Sequence, residues 1–120
     1  MIKFVIGGQM NKQEIANKVK ELGGDKVSVE IKSDIEAAML IKTGQADYYV
    51  GACNTGGGGA LAMAIALLGM GQCVTVSMPG SIKSDEQIIA EVTAGKKAFG
   101  FTAEHTDKVL PIIINKIVNG

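Results

Sequence analysis

The chain reads as an α/β protein, a doubly wound three-layer sandwich around a five-stranded parallel sheet in the order 2-1-3-4-5. Three observations predict it. Short apolar runs alternate with helical patterns along the whole sequence, in the order βαβαβαβαβα. Strict alternation makes the strands parallel, because each helical crossover returns the chain to the same end of the sheet. The second strand alternates apolar and polar residues, as an edge strand does, and the order 2-1-3-4-5 puts it at an edge. At 120 residues the chain is expected to form one domain, residues 1–120, with one core. That core must be built from Ile, Val, Leu, Ala and Met, since 47% of residues are hydrophobic but only 4% aromatic.

The elements follow in order. Lys3–Ile6 is a buried strand ending in Gly7-Gly8, and Asn11 is placed to cap a helix over Lys12–Leu22. Ile15, Val19 and Leu22 lie on one helical face, and Gly23-Gly24 stops the helix. Val27, Val29 and Ile31 form the edge strand. Ser33 with Glu36 is a capping box opening a helix that ends near Thr43, before Gly44. Tyr48–Gly51 is the third strand. The loop Ala52–Gly59 leads into an apolar helix over Ala60–Met70. Cys73–Ser77 is the fourth strand, and Ser84 with Gln87 caps the next helix, closed by Gly95. Ala98–Phe101 is the fifth strand, Thr102–Thr106 a loop, and Asp107–Val118 a last helix interrupted by Pro111.

Ligands of such sheets bind at the carboxyl ends of the strands, where the order reverses between strands 1 and 3. Gly7, Gly8 and Gln9 fall there, together with Cys53, Asn54, Thr55, Gly56, Gly57, Gly58 and Gly59. A strand that runs through glycines onto a helix N-terminus offers backbone N–H groups and the positive end of a helix dipole. That favours an anion or a polarised carbonyl. A thiol in this position is a candidate base or nucleophile, which marks Cys53. Asn54 and Thr55 are suited to orient a ligand or to cap the helix. Ser77, Pro79, Gly80 and Ser81 follow strand 4 on the same rim, with Lys83 nearby. His105 is the single histidine and lies beyond strand 5 beside Glu104, which makes it the candidate acid or base. In the expected order, strands 3 and 5 are two spacings or roughly 10 Å apart, so contact between His105 and Cys53 would need loop excursions, a bridging ligand or a second subunit. Cys73 begins a strand and is read as core.

Several classes are set aside. The glycines lack the Lys-Ser/Thr of a phosphate-binding P-loop. Gly57 to Ala62 matches G-x-G-x-x-A formally, but after the third strand and with no acidic end to the next, so no dinucleotide cofactor is expected. Net charge is zero and no basic stripe exists, which argues against nucleic acid. All twelve basic residues are lysine, so no guanidinium clamp can hold a phosphate. One histidine and two distant cysteines make no metal set. Ile2–Ile6 is too short for a secretory signal and Ala60–Met70 too short to span a bilayer, so a reducing cytoplasm is expected. The helix Ala60–Met70 is apolar on every face, which predicts cover from a second copy in a homodimer or larger assembly.

Asp34-Ile35-Glu36-Ala37-Ala38-Met39, the run from Gly44 to Gly56, Ala98-Phe99-Gly100 and Glu104-His105 carry a resemblance. Over nearly its whole length the chain resembles the YhfU-like proteins, a small bacterial family of unknown function. The resemblance implies work beside transport proteins and pyridoxal-phosphate-type or sugar-phosphate enzymes, and so on a small amino or sugar compound. The loop Cys53 to Gly58 is also similar to that of type B ribose-5-phosphate isomerases. That likeness implies Cys53 as the proton-abstracting base, loop amides on the enediolate oxygen, and a site between two subunits. The chain departs from it at Asn54, which replaces a glycine, at Gly7-Gly8-Gln9, where Asp-His is expected, and in having no arginine. A weaker likeness is to phosphotransferase-system IIB loops, whose phosphoryl-carrying cysteine follows strand 1 rather than strand 3. The function expected is binding of a small polar or anionic metabolite at the glycine loop. The alternatives are an isomerase with Cys53 as base and a non-catalytic subunit of a transport or metabolic complex.

Overall fold

The computed structural model describes residues 1–54 and 57–120. Five strands form the main sheet: β1 (Ile2–Gly8), β2 (Val27–Ile31), β3 (Tyr48–Cys53), β4 (Cys73–Thr75) and β7 (Ala98–Thr102). A small antiparallel hairpin pairs β5 (Ser77–Met78) with β6 (Ser81–Ile82). The helices are α1 (Lys12–Gly23), α2 (Asp34–Lys42), α3 (Gly57–Leu68), α4 (Asp85–Thr93) and α5 (Thr106–Asn119).

All pairings in the main sheet are parallel, in the order β2-β1-β3-β7-β4. Helices α2 and α3 cover one face, while α1, α4 and α5 cover the other. Strand alternation sorts the core accordingly. Phe4, Ile6, Val50, Phe99 and Phe101 pack toward α1 and α5. Val5, Tyr49 and Ala98 pack toward α2 and α3.

The three-layer parallel fold is as expected, with β2 at one edge. The last two strands are exchanged: β7, fifth in the chain, lies between β3 and β4. Its composition explains the place. Every residue of β7 is buried. Phe99 and Phe101 fill one layer, and Ala98 and Gly100 are small enough for α3 to close on the other. β4 has only three residues and a partly exposed Thr75, which suits an edge. Strand 5 is therefore beside β3, and the two-spacing separation expected for His105 does not apply.

Local departures have local causes. β3 continues through Ala52 and Cys53, which pair with Phe101 and Thr102. α3 begins at Gly57, so Gly57, Gly58 and Gly59 form its first turn instead of a loop. The chain leaves the sheet after β4, and Pro79-Gly80 turns the β5–β6 hairpin with Gly80 at φ +76. Ser84 and Gln87 make both capping-box bonds, whereas at Ser33 half of the expected box forms: its hydroxyl accepts from the Glu36 amide, and Glu36 Oε1 takes the Ser33 hydroxyl proton in place of the backbone N–H. Asn11 holds the N-cap position of α1 at φ 54 but makes no side-chain cap bond. α5 runs through Pro111 without ending.

Candidate functional site at the carboxyl rim of the sheet

The rim begins where β1 leaves the sheet. Gly8 has φ +80, and a Cβ there would meet the Ala52 nitrogen at 2.6 Å. Only glycine permits this tight exit, in which the Gln9 and Met10 amides both donate to the Ala52 carbonyl at 2.9 and 3.2 Å. One rung below, Gly7, Gly51 and Gly100 lie in register across β1, β3 and β7. They share the α2–α3 side with Tyr49 and Ala98, because side chains alternate along a strand.

Tyr49 fills the space over Gly7, where a Cβ would lie 2.6 Å from its ring carbons and hydroxyl. Its hydroxyl donates to the Ala60 carbonyl at 2.5 Å and accepts the Gly8 N–H at 3.2 Å. One phenol thus ties together β3, the β1 exit and the first turns of α3. Burial holds the Tyr49 hydroxyl well above its usual range, and the neighbouring Asp34 charge pushes the same way.

Across the rim, Cys53 is opposite Thr102 in the register. Cys53 is 1% exposed, Thr102 4% and Ser77 3%. The Thr102 N–H donates to the Ser77 hydroxyl at 3.0 Å, so the hairpin base caps the end of β7. A cavity of about 160 Å³ adjoins this contact, lined by Thr75, Ser77, Met78, Ser81 and Lys83 among others. His105 ends a single 3-10 turn after β7, with Nε2 3.5 Å from Glu104 Oε1 and its side chain 14% exposed.

Three buried side-chain atoms among the described residues have no hydrogen-bond partner: Asp34 Oδ1, Thr102 Oγ1 and His105 Nδ1. Asp34 opens α2 just after β2, Thr102 ends β7, and His105 follows it. All three belong to the carboxyl end of the sheet. Buried polar atoms are nearly always paired, so such a grouping calls for a cause.

The expected residues divide as follows. Gly7, Gly8, Cys53, Ser77 and His105 border this rim. Gln9, Asn54 and Glu104 are exposed along it. Gly57–Gly59 are helical, and Thr55 and Gly56 lie outside the described residues. Asp34, Tyr49 and Thr102 were not singled out. Asp34 reads simply as a helix-opening acid and Tyr49 as a strand aromatic; the signal for Thr102 was its place as the last residue of an apolar strand. Cys73 is in the core, where burial pushes its thiol up.

The arrangement defines an α/β protein with a doubly wound parallel sheet and a small polar rim at the strand carboxyl ends. The chain belongs to the family described as "Protein of unknown function DUF2620", which matches residues 2–117. It is similar to "Uncharacterized protein YhfU" of Escherichia coli strain K12, at 39% identity over 117 residues, covering 98% of this chain and 99% of the relative. The proteins of the same name from Escherichia coli O6:H1 and Shigella flexneri match equally, at 39% identity and the same coverage. No solved structure matches the chain. No helix among the described residues is long and apolar enough to cross a membrane.

Proposed function

We propose that the protein binds a small polar metabolite at the carboxyl rim, between Gly7–Gln9 and Cys53–Asn54 on one side and Ser77, Thr102 and His105 on the other. The observation that carries this reading is the position of the three unpartnered buried atoms of Asp34, Thr102 and His105 at that single rim. Each such atom costs about 1–3 kcal/mol when left unpaired. A bound ligand offsets that cost by supplying the missing donors and acceptors. The first turn of α3, beginning at Gly57, supports the same place, since it turns its positive end toward a carbonyl or anionic group. A thermal-shift screen of sugars, sugar phosphates, keto acids and amino acids tests the proposal. A ligand at ~100 times its Kd adds about 2.7 kcal/mol. A hit should be lost in Thr102→Val; a hit that Thr102→Val retains in full would place binding elsewhere.

The register gives a second reading some support. With β7 beside β3, Cys53 faces Thr102, and His105 follows three residues on. This favours an isomerase in which Cys53 removes a proton beside a carbonyl, α3 amides hold the oxyanion, and His105 serves as acid. Turnover that Cys53→Ser abolishes while binding persists is its test.

We also propose that the protein works in the cytoplasm as a homodimer built on the α2–α3 face. Ala62 and Ala66 of α3 are exposed, and beside them Ile35 and Met39 of α2 are 56% and 41% exposed. The chain carries no charged residue between Asp47 and Lys83, so two copies of α3 meet without repulsion. Sedimentation should find a dimer that Ala66→Glu converts to monomer. A wild-type monomer at all concentrations would leave the face to a different subunit of a transport or metabolic complex.

A further inference from the structure

We infer that Asp34 selects the ligand: its carboxylate receives an ammonium or hydroxyl donor, so the rim takes an amine- or hydroxyl-bearing metabolite in preference to its phosphorylated counterpart. This rests on the binding reading above and specifies its ligand class.

Asp34 is the first residue of α2, where an acid commonly serves the helix itself. Here the helix start is already served. The Ser33 hydroxyl accepts from the Glu36 amide at 3.2 Å and donates to Glu36 Oε1 at 3.0 Å. Asp34 Oδ1 is nevertheless buried and without a partner. The Tyr49 hydroxyl is a hydrogen-bonding neighbour of this carboxylate, but its single proton is directed to the Ala60 carbonyl at 2.5 Å. With that proton on the Ala60 carbonyl, Oδ1 is left unpaired.

Nearby cations do not supply the missing partner. Lys12 Nζ donates to the Lys32 carbonyl at 2.8 Å, and Lys32 Nζ pairs with Glu30 at 3.2 Å. Asp34 enters no ion pair among the described residues, and the chain has no arginine to bring. A carboxylate can only accept hydrogen bonds, so the ligand group it faces must be a donor. A phosphate dianion placed there would meet a like charge with no cation between them. Thr102 Oγ1 and His105 Nδ1 complete the set: the hydroxyl both donates and accepts, so neutral or zwitterionic ligands can satisfy it.

The test uses matched probes on the full chain: D-ribose against D-ribose 5-phosphate, and L-serine against O-phospho-L-serine. Thermal shift and calorimetry are run on wild type and Asp34→Asn, with Asp34→Ser as the second variant should Asn lower the melting point of the free protein. The expected result is tighter binding of the unphosphorylated member, weakened about ten- to hundredfold in Asp34→Asn. A response to ribose alone identifies a hydroxyl donor, and one to serine alone an ammonium. The free variant should melt no lower than wild type, since Asn removes a negative charge that no cation among the described residues compensates. Tighter binding of the phosphorylated member, or equal binding by the variants, overturns the role of Asp34 and leaves rim binding standing. No response of the wild type to any probe overturns both.

Discussion

Tyr49→Phe removes one oxygen atom and tests how the rim is held. The ring is fully buried and keeps its packing over Gly7, so the change isolates the hydroxyl. Its loss leaves the buried Gly8 N–H, 3.2 Å away, without an acceptor, and deprives the Ala60 carbonyl of a 2.5 Å donor. The Ala60 carbonyl keeps its helical acceptor role in α3, so the unpaired N–H dominates. The expected cost is about 2 kcal/mol, within the ~1–3 kcal/mol of an unsatisfied buried group. For a chain of this size that is roughly 6–10 °C in Tm. Urea unfolding should show a lower midpoint with unchanged slope. Tyr48→Phe is the control, because Tyr48 stacks on Phe4 at 5.5 Å through its ring alone. A Tyr49→Phe protein within about 0.5 kcal/mol of wild type would refute the hydrogen-bond account of the rim. The pH dependence gives a second sign to check. The folded state holds Tyr49 protonated above its unfolded range near 10, so it binds more protons than the unfolded chain there. Its contribution is complete below about pH 10 and declines as pH rises further. The gap between wild type and Tyr49→Phe should therefore narrow in alkali.

Further outcomes follow from the same geometry. Gly8→Ala forces a Cβ to 2.6 Å from the Ala52 nitrogen at φ +80 and should lower stability by more than about 3 kcal/mol, read as a lost or much lowered Tm. Ser84→Ala removes a complete capping box from α4 and should cost about 1 kcal/mol in urea unfolding, with the rim's ligand response unchanged. In a Cys53→Ser background, Cys73 should react with iodoacetamide at least about tenfold more slowly than a small thiol at neutral pH, since burial disfavours its thiolate.

Element type was legible where local physics decides it. Periodicity, Gly stops and the Ser33 and Ser84 caps located four of the five helices closely, and alternation marked β2 as an edge. Strand order was not local. It depended on which strand could be covered on both faces, and the cue was the small–large alternation of Ala98, Phe99, Gly100 and Phe101. The glycines at positions 57–59 look like loop residues by propensity, yet they form helix, because close packing of α3 on β7 outweighs their backbone entropy. The rule for open parallel sheets points to the same rim at which binding is proposed. Asp34, Tyr49 and Thr102 were missed because each has an ordinary local explanation. Their significance arises only when β1, β2, β3 and β7 bring the Gly8 amide, the Tyr49 phenol and the unpaired oxygens to one rim.

The most direct test of the central claim is a ¹H–¹⁵N correlation spectrum of the labelled full chain, titrated with the probe that gives the largest thermal shift. The account predicts saturable shifts concentrated at Gly8, Asp34, Asn54, Thr102 and His105. Shifts confined to the groove between α1 and β2, around Asn17 and Ser28, or no saturable shifts at all, would contradict it.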